Sequence, residues 1–155
     1  MRAGLTAFIL TMATSATGGI EHTVLHGVSV ARVRVWTGPG TVPGLTKERL
    51  ESAAEASLRE AGIRLTPGAP AELMISATVM VAGSACFATL DAKLVEEARL
   101  ERNGLRVEAT SWSRGGMVSV NVETCGEHVT DATKSAVADF VETYRAMNPP
   151  PSASR

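Results

Sequence analysis

The dipeptide Asn103–Gly104 is the feature that most constrains the fold of this 155-residue chain. Asn-Gly is preferred in two-residue type I′ turns, which join two antiparallel strands in a hairpin. The segment before it, residues 87–101, has apolar residues at spacings that would also suit a helix. A two-residue turn, however, places Glu101 opposite Arg106, and the next charged pair along the hairpin is complementary as well. Since a helix predicts no such pairing, the sequence favours a long β-strand here.

The same register assigns faces to residues further from the turn. It pairs Val95 with Trp112 on an outer, partly wet face of the hairpin. It pairs Glu96 with Ser111 on the inner, apolar face. Glu96 is therefore a candidate functional carboxylate, because an acid on an apolar face can have a perturbed pKa. A hydrogen bond to Ser111, or a position at the margin of the sheet, is the simpler explanation.

Two cysteines, Cys86 and Cys125, bear on the course of the chain after the hairpin. If Gly115–Gly116 formed a second tight turn, Cys125 would return to the hairpin tip, about 50 Å from Cys86 at ~3.3 Å per residue. Disulfide-bonded Cα atoms lie within about 7 Å of each other. A disulfide therefore requires the glycines to form a bulge in one long return strand. The sequence predicts this bulged hairpin with a Cys86–Cys125 disulfide, and two reduced core cysteines are the alternative.

Alternating and helical apolar patterns define the other elements. The predicted elements are, in order, a strand at 28–36, a Gly- and Pro-rich loop at 37–44, a helix from the N-cap Thr46 to the C-terminal Gly62, a strand at 73–81, the two hairpin strands, and a helix from Val129 to Met147. In the first strand, Val33 and Val35 are expected to face the core and Val30 to face outward.

These elements follow one another in the order β-α-β-β-β-α, which is typical of the α+β class. We expect residues 24–148 to form a single domain, a two-layer sandwich. In it, two helices pack on one face of an antiparallel-rich sheet of about four strands. Residues 149–155 contain three prolines and are predicted to form a disordered tail.

Residues 1–19 have the pattern of a signal peptide. Arg2 precedes a short apolar run at 5–13, and Thr14 and Ala16 provide the small side chains expected before a cleavage site. The chain is therefore predicted to be a soluble exported protein, periplasmic or secreted, with an irregular N-terminal tail as the alternative. The run is shorter than the ~20 apolar residues that cross a bilayer. No later stretch approaches that length, so we expect no integral membrane segment.

Composition and motifs argue against several functional classes. A net charge of −1 and an aromatic content of 4% leave little for phosphate neutralisation or base stacking, so nucleic acid is not an expected partner. His22 and His26 are four residues apart, but Thr23 stands where a zincin has its glutamate. The sequence also lacks a Gly-x-Ser-x-Gly motif and a phosphate-binding loop. We therefore expect no metal and no cofactor, and assign no catalytic residue.

The hypothesis that remains is a non-catalytic binding or accessory module of the cell envelope. Its partner would be an envelope protein or a second copy of the chain, and its contact surface the uncovered sheet face or the loop at 38–44. Trp36 and Trp112 are candidate recognition aromatics, although a place at the core edge is the simpler explanation for Trp112. Two alternatives stay open: a small hydrolase or isomerase that uses Glu96, and a purely structural, self-associating domain.

Overall fold

The computed structural model describes residues 25–40 and 42–149. The predicted leader, His22 and almost all of the predicted tail lie outside these residues. The elements are β1 (Val30–Thr37), α1 (Lys47–Glu60), β2 (Ala71–Ala82), β3 (Ala85–Arg99), β4 (Arg106–Asn121) and α2 (Cys125–Met147). The sheet has the order β1-β2-β3-β4, in which β1 is parallel to β2 and the other two pairs are antiparallel. The predicted α+β class and element order are confirmed.

One face of the sheet is buried beneath the two helices. Along β2, alternate residues from Ala71 to Val79 are buried, and the residues between them are half-buried or exposed. α1 contributes Leu50 and Leu58 to the same core, and α2 contributes a longer stripe that includes Phe140. This arrangement is the predicted two-layer sandwich, because both helices pack on the same face of the sheet.

The helix ends follow from local sequence signals. The N-cap Thr46 accepts a hydrogen bond from the N–H of Arg49 at 3.2 Å, which occupies a donor that the helix start leaves free. Gly62 takes a left-handed φ of 77° just after α1, as predicted. The second helix begins at Cys125, earlier than the predicted start at Val129.

The register of β1 corrects one predicted orientation. Val30 was expected to face outward, but it is only 1% exposed and belongs to the core. The pairing with β2 is irregular between Val30 and Arg32, so the backbone between them turns Val30 to the covered face. Val33 and Val35 are buried as predicted.

The hairpin between β3 and β4 exists, but its turn is not the predicted two-residue turn. The N–H of Leu100 donates to the carbonyl of Leu105 at 2.8 Å, so four residues, Glu101 to Gly104, form the loop. A type I′ turn needs positive φ at both central residues. Here Gly104 has a φ of 69°, while none of the described non-glycine residues has positive φ. Asn103 instead accepts a hydrogen bond from the N–H of Leu105 through its side chain.

The wider loop changes which residues are paired. Arg99 lies opposite Arg106, and Glu97 opposite Glu108, so the predicted pairs of opposite charges across the hairpin are wrong. Opposite charges meet on the diagonal instead, where Arg106 Nη1 lies 3.0 Å from Glu97 Oε1. Both residues of this pair are more than half exposed, so its contribution to stability is small.

The bulge in β4 lies at Ser111 and not at Gly115–Gly116. The register shifts between Leu94 and Val95, where Ser111 is the extra residue of β4. Beyond it the pairing is regular to Asn121, and the two glycines lie opposite Asp91 and Leu90. One inserted residue exchanges the two faces of a strand. Every β4 side chain after Ser111 therefore faces the side opposite to the one predicted.

Cys86 and Cys125 are joined by a disulfide, with 6.1 Å between their Cα atoms. The geometry differs from the predicted strand-to-strand pairing, because Cys86 lies opposite Val120 and Cys125 begins α2. The chain reverses directly after β4, where the N–H of Cys125 donates to the carbonyl of Val122. This short reversal brings the first residue of α2 to the first residues of β3 without a large bulge.

The loop between β1 and α1 is held closely at Gly40 by the sheet and at Pro43 by α2. A Cβ at Gly40 would collide with the carbonyl of Val79 in β2. A Cβ at Gly126, in the first turn of α2, would collide with the carbonyl of Pro43. Both glycines are therefore needed for close backbone packing, and the loop connects the two layers.

Replacing Gly126 with alanine should lower the free energy of unfolding by about 1–3 kcal/mol, because the added methyl group forces the helix and the loop apart. Urea unfolding followed by circular dichroism measures this loss. Gly116→Ala is the matched control, since a Cβ there meets no atom within 4 Å. Its stability should be unchanged or higher. Equal stability of the two variants would contradict the close packing.

Removing the disulfide with the double substitution Cys86→Ala and Cys125→Ala should cost about 4 kcal/mol of stability. The bond links residues separated by 39 positions and so restricts the unfolded chain. Guanidinium unfolding of both proteins, with and without reductant, measures the effect. Reductant should destabilise the natural protein by a similar amount and leave the double variant unchanged. A natural protein insensitive to reductant during unfolding would refute the prediction.

Candidate functional site on the open face of the sheet

The sheet face away from the helices, here called the open face, is the largest surface that the fold leaves without cover from the described residues. Its side chains are half-buried or exposed, whereas those of the opposite face form the core. Along β2 it carries Glu72, Met74, Ser76, Thr78 and Met80, and each of these residues lies opposite a residue of β3 on the same face. The face has a charged end near the β3–β4 hairpin and an apolar end near the β2–β3 turn.

Glu72 organises the charged end by binding two arginines of β1. Arg32 Nε donates to Glu72 Oε1 at 2.7 Å, and Arg34 Nη2 donates to the other carboxylate oxygen. Burial disfavours the charged form of Glu72, but hydrogen bonds and charge from Arg34 and Arg32 outweigh it. The pKa of Glu72 is therefore lowered from its usual value. The two arginines are thus paired to β2 and do not form a free basic stripe.

An open groove of about 240 Å³ adjoins this end of the face. Its charged lining consists of Arg34, Arg106, Glu72, Glu97 and Glu108, together with Glu96. Four carboxylates face two guanidinium groups there, so the lining has an excess of negative charge. The groove can bind small polar groups by hydrogen bonds, and its charge disfavours an anion.

Three large apolar side chains, Met80, Phe87 and Met117, lie at the other end of the face and are here called the apolar corner. They are 63%, 37% and 74% exposed. Phe87 of β3 lies directly opposite Met80 of β2. Met117 of β4 lies opposite Thr89 of β3, one row further along the same face. Since opposite and diagonal neighbours in a sheet are within side-chain reach, the three form one surface.

Trp36 lies on the open face but outside the apolar corner. It is 54% exposed and lies opposite Ser76, on the edge strand β1. Its row continues through Asp91 to Gly115, which has no side chain. The indole ring therefore has only polar or small neighbours in its row and is not part of the apolar corner.

Trp112 lies on the covered face, because the bulge at Ser111 turns it inward. It is opposite Leu94, and its ring meets that of Phe140 edge to face with 5.3 Å between centroids. The predicted outer position was wrong for this reason. The ring belongs to the margin of the core, where an edge-to-face pair adds about 0.5–1.5 kcal/mol.

Glu96 also lies on the covered face and is half-buried between Ala71 and Ala109. The expected partner Ser111 is not opposite it, and the Ser111 hydroxyl instead donates to the carbonyl of Leu94 at 3.5 Å. The structure therefore does not bring this hydroxyl to the carboxylate. His26 is exposed in the turn before β1, and no three potential metal ligands cluster within residues 25–40 and 42–149.

The apolar corner was missed from the sequence, although a signal for it exists. Gly83–Ser84 separates two alternating segments, which is a hairpin signal of the type II′ class. It sets the β2–β3 register, and with it the contact of Met80 with Phe87. Met117 joins them only through the bulge at Ser111, which no sequence pattern marks.

Comparison with known proteins finds similarity of chain path only. No protein family and no curated protein matches the sequence. The chain is similar to the PelC dodecamer of Paraburkholderia phytofirmans, at 18% identity and a TM-score of 0.43 over 76% of this chain and 90% of PelC. It is also similar to lipoprotein GNA1162 of Neisseria meningitidis, at 16% identity and a TM-score of 0.36 over 74% of this chain and 96% of the lipoprotein. The similarity to a minor lipoprotein of Acinetobacter baumannii has 12% identity and a TM-score of 0.33, over 77% of this chain and 92% of the lipoprotein.

Neither α1 nor α2, the two helices of the described residues, is long and apolar enough to span a bilayer.

Glu72→Gln should weaken the dependence of stability on acid pH. A carboxylate with a lowered folded-state pKa stabilises the fold above its unfolded pKa of about 4.3, and this stabilisation is lost as the pH falls through the folded value. The variant should therefore be less stable than the natural protein at pH 7, by up to about 1 kcal/mol for a partly exposed pair. The difference should shrink below pH ~4.

Urea unfolding between pH 7 and pH 2.5 measures this difference. Glu97→Gln is the control, because its ion pair with Arg106 is largely exposed and contributes little. A stability difference for Glu72→Gln that stayed constant down to pH 2.5 would show that the carboxylate is not linked to folding.

Proposed function

We propose that the protein is a small exported, non-catalytic binding module of the cell envelope, and that the apolar corner of Met80, Phe87 and Met117 is its contact surface. The observation that carries the proposal is the exposure of these three side chains together on a sheet face that residues 25–40 and 42–149 leave uncovered. Soluble monomers rarely expose contiguous large apolar side chains unless they bind something there.

Two features support an exported location. Residues 1–19 have the charged start, apolar run and small residues of a signal peptide. The Cys86–Cys125 bond belongs to an oxidising compartment, since the cytosol keeps most thiols reduced. Either the periplasm or the extracellular medium satisfies both features.

The other candidate surfaces suit a partner less well. The loop after β1 already packs against Val79 through Gly40 and against Gly126 of α2 through Pro43. At the charged end, Glu72 is occupied by two arginines, and a partner would have to replace these contacts. The apolar corner needs no such exchange, because burying apolar area is favourable by about 25 cal/mol per Å². Methionine side chains also adapt easily to a partner's shape.

The Glu96 hydrolase receives no support from the arrangement of residues. Its hydroxyl partner is not opposite the carboxylate, and nucleophilic catalysis needs such groups within hydrogen-bond distance.

A photo-crosslinking amino acid at Met117 should form an adduct with a distinct envelope component in intact exporting cells. The double substitution Met80→Ser and Phe87→Ser should reduce this adduct by at least about tenfold, if the corner binds as a unit. The same crosslinker at Leu105, a 60% exposed apolar residue at the hairpin tip, is the matched control and should give no such adduct. Equal adducts at both positions, or none at Met117, would overturn the proposal.

A further inference from the structure

One half of the edge strand β4 lacks the features that normally protect a sheet edge. The half nearer the hairpin carries Arg106, Glu108 and Arg114, and it contains the bulge at Ser111. The segment Gly115–Asn121, in contrast, contains no charge, no proline and no irregularity of register. Charges, prolines and bulges are the usual means by which proteins prevent edge pairing.

The free backbone groups of this segment can be identified from the pairing with β3. The N–H of Val122 donates to the carbonyl of Ser84, its direct opposite in the register. Hydrogen-bonded and non-hydrogen-bonded pairs alternate along an antiparallel ladder. Met117 and Ser119 therefore direct their N–H and C=O groups away from β3, where no described strand receives them. Asn121 also faces outward, but its C=O already accepts hydrogen bonds from the N–H and the hydroxyl of Thr124.

A recess lies beside the same segment on the covered face. Gly116 lies opposite Leu90, and a Cβ added at Gly116 would meet no atom within 4 Å. A groove of about 320 Å³ opens there between β4 and α2, with Leu90, Ala132 and Ala136 among its lining residues. The groove has room for an apolar side chain supplied by a strand added next to β4.

We propose that two copies of this chain pair antiparallel through Gly115–Asn121, with Val118 of each copy on the two-fold axis. In this register Met117 of one copy faces Ser119 of the other, and both have outward-directed backbone groups. Val120 of the second copy lies beside Gly116 of the first, so that its side chain occupies the recess. The two sheets become one continuous sheet of eight strands.

Charge also favours a second copy as the occupant. The paired segments contain no charged residue, so like charges do not oppose one another. At each end of the interface, Arg114 of one copy lies opposite the uncharged Val122 of the other, and its guanidinium group keeps its ion pair with Asp139 of its own copy. The two-fold interface therefore leaves Arg114 paired at either end.

This pairing shares Met117 with the proposed envelope contact, but the pairing uses the backbone of that residue, whereas the apolar corner uses its side chain on the open face. The substitution Met80→Ser on β2 should leave the dimer intact. The two proposals can therefore fail separately.

Disulfide trapping tests the two-fold axis. Opposite residues of a non-hydrogen-bonded pair have Cα atoms about 4.5 Å apart, within the ~7 Å limit for a disulfide. Val118→Cys should therefore form a covalent dimer under mild oxidation of the protein purified from exporting cells. Val107→Cys, the same change on β4 outside the interface, should remain monomeric. Absence of the Val118 dimer, or equal trapping at both positions, would overturn the proposal.

Sedimentation velocity over a concentration series tests the edge itself. The mass of the natural protein should rise to twice that of the monomer with increasing concentration. Ser119→Pro removes an outward donor from each copy, and we expect it to raise the dissociation constant by about tenfold. Ser113→Pro, also at an outward position but outside the segment, should leave it unchanged. A natural protein that stays monomeric throughout would overturn the proposal, even if the edge captured another polypeptide.

Discussion

One inserted residue, Ser111, decides which side chains of β4 face the helices and which face solvent. It turns Trp112 inward onto Phe140, and it places Met117 on the open face beside Phe87. It also turns Gly116 toward α2, where the missing side chain leaves the recess at the strand edge. The two surfaces proposed as contacts therefore both depend on this bulge. A single bulge reverses the faces of all the side chains that follow it, because side chains alternate with a period of two along a strand.

The contacts that stabilise the fold lie on the covered face of the sheet and at its connecting loop. The covered face holds apolar residues of all four strands and both helices, and the disulfide joins the start of β3 to the start of α2. Contacts between backbones at Gly40 and Gly126 hold the connecting loop in place. The core lies on one side of the sheet, and the described residues leave the open face and the outer edge of β4 uncovered.

The strands, the helix α1 and the hairpin could be predicted from local patterns, since each of these patterns involves only residues that are close in the sequence. Alternation predicted the strands, the caps Thr46 and Gly62 predicted α1, and Asn103–Gly104 predicted the hairpin. The candidate site was predicted less well. Trp36 is exposed on the open face, but Trp112 is packed against the core, and the apolar corner combines residues from three strands that no local pattern connects.

Hydrophobic period and turn chemistry are local properties, and they were sufficient to predict the element order, the α+β class and the long strand before Asn103. The register of the strands depends on contacts between distant residues and became known from the folded structure. Whether the turn holds two residues or four, and whether the extra residue lies at Ser111 or at the glycines, changes no local preference. Each choice moves a whole strand against its neighbours, so the burial of the assembled core selects between them.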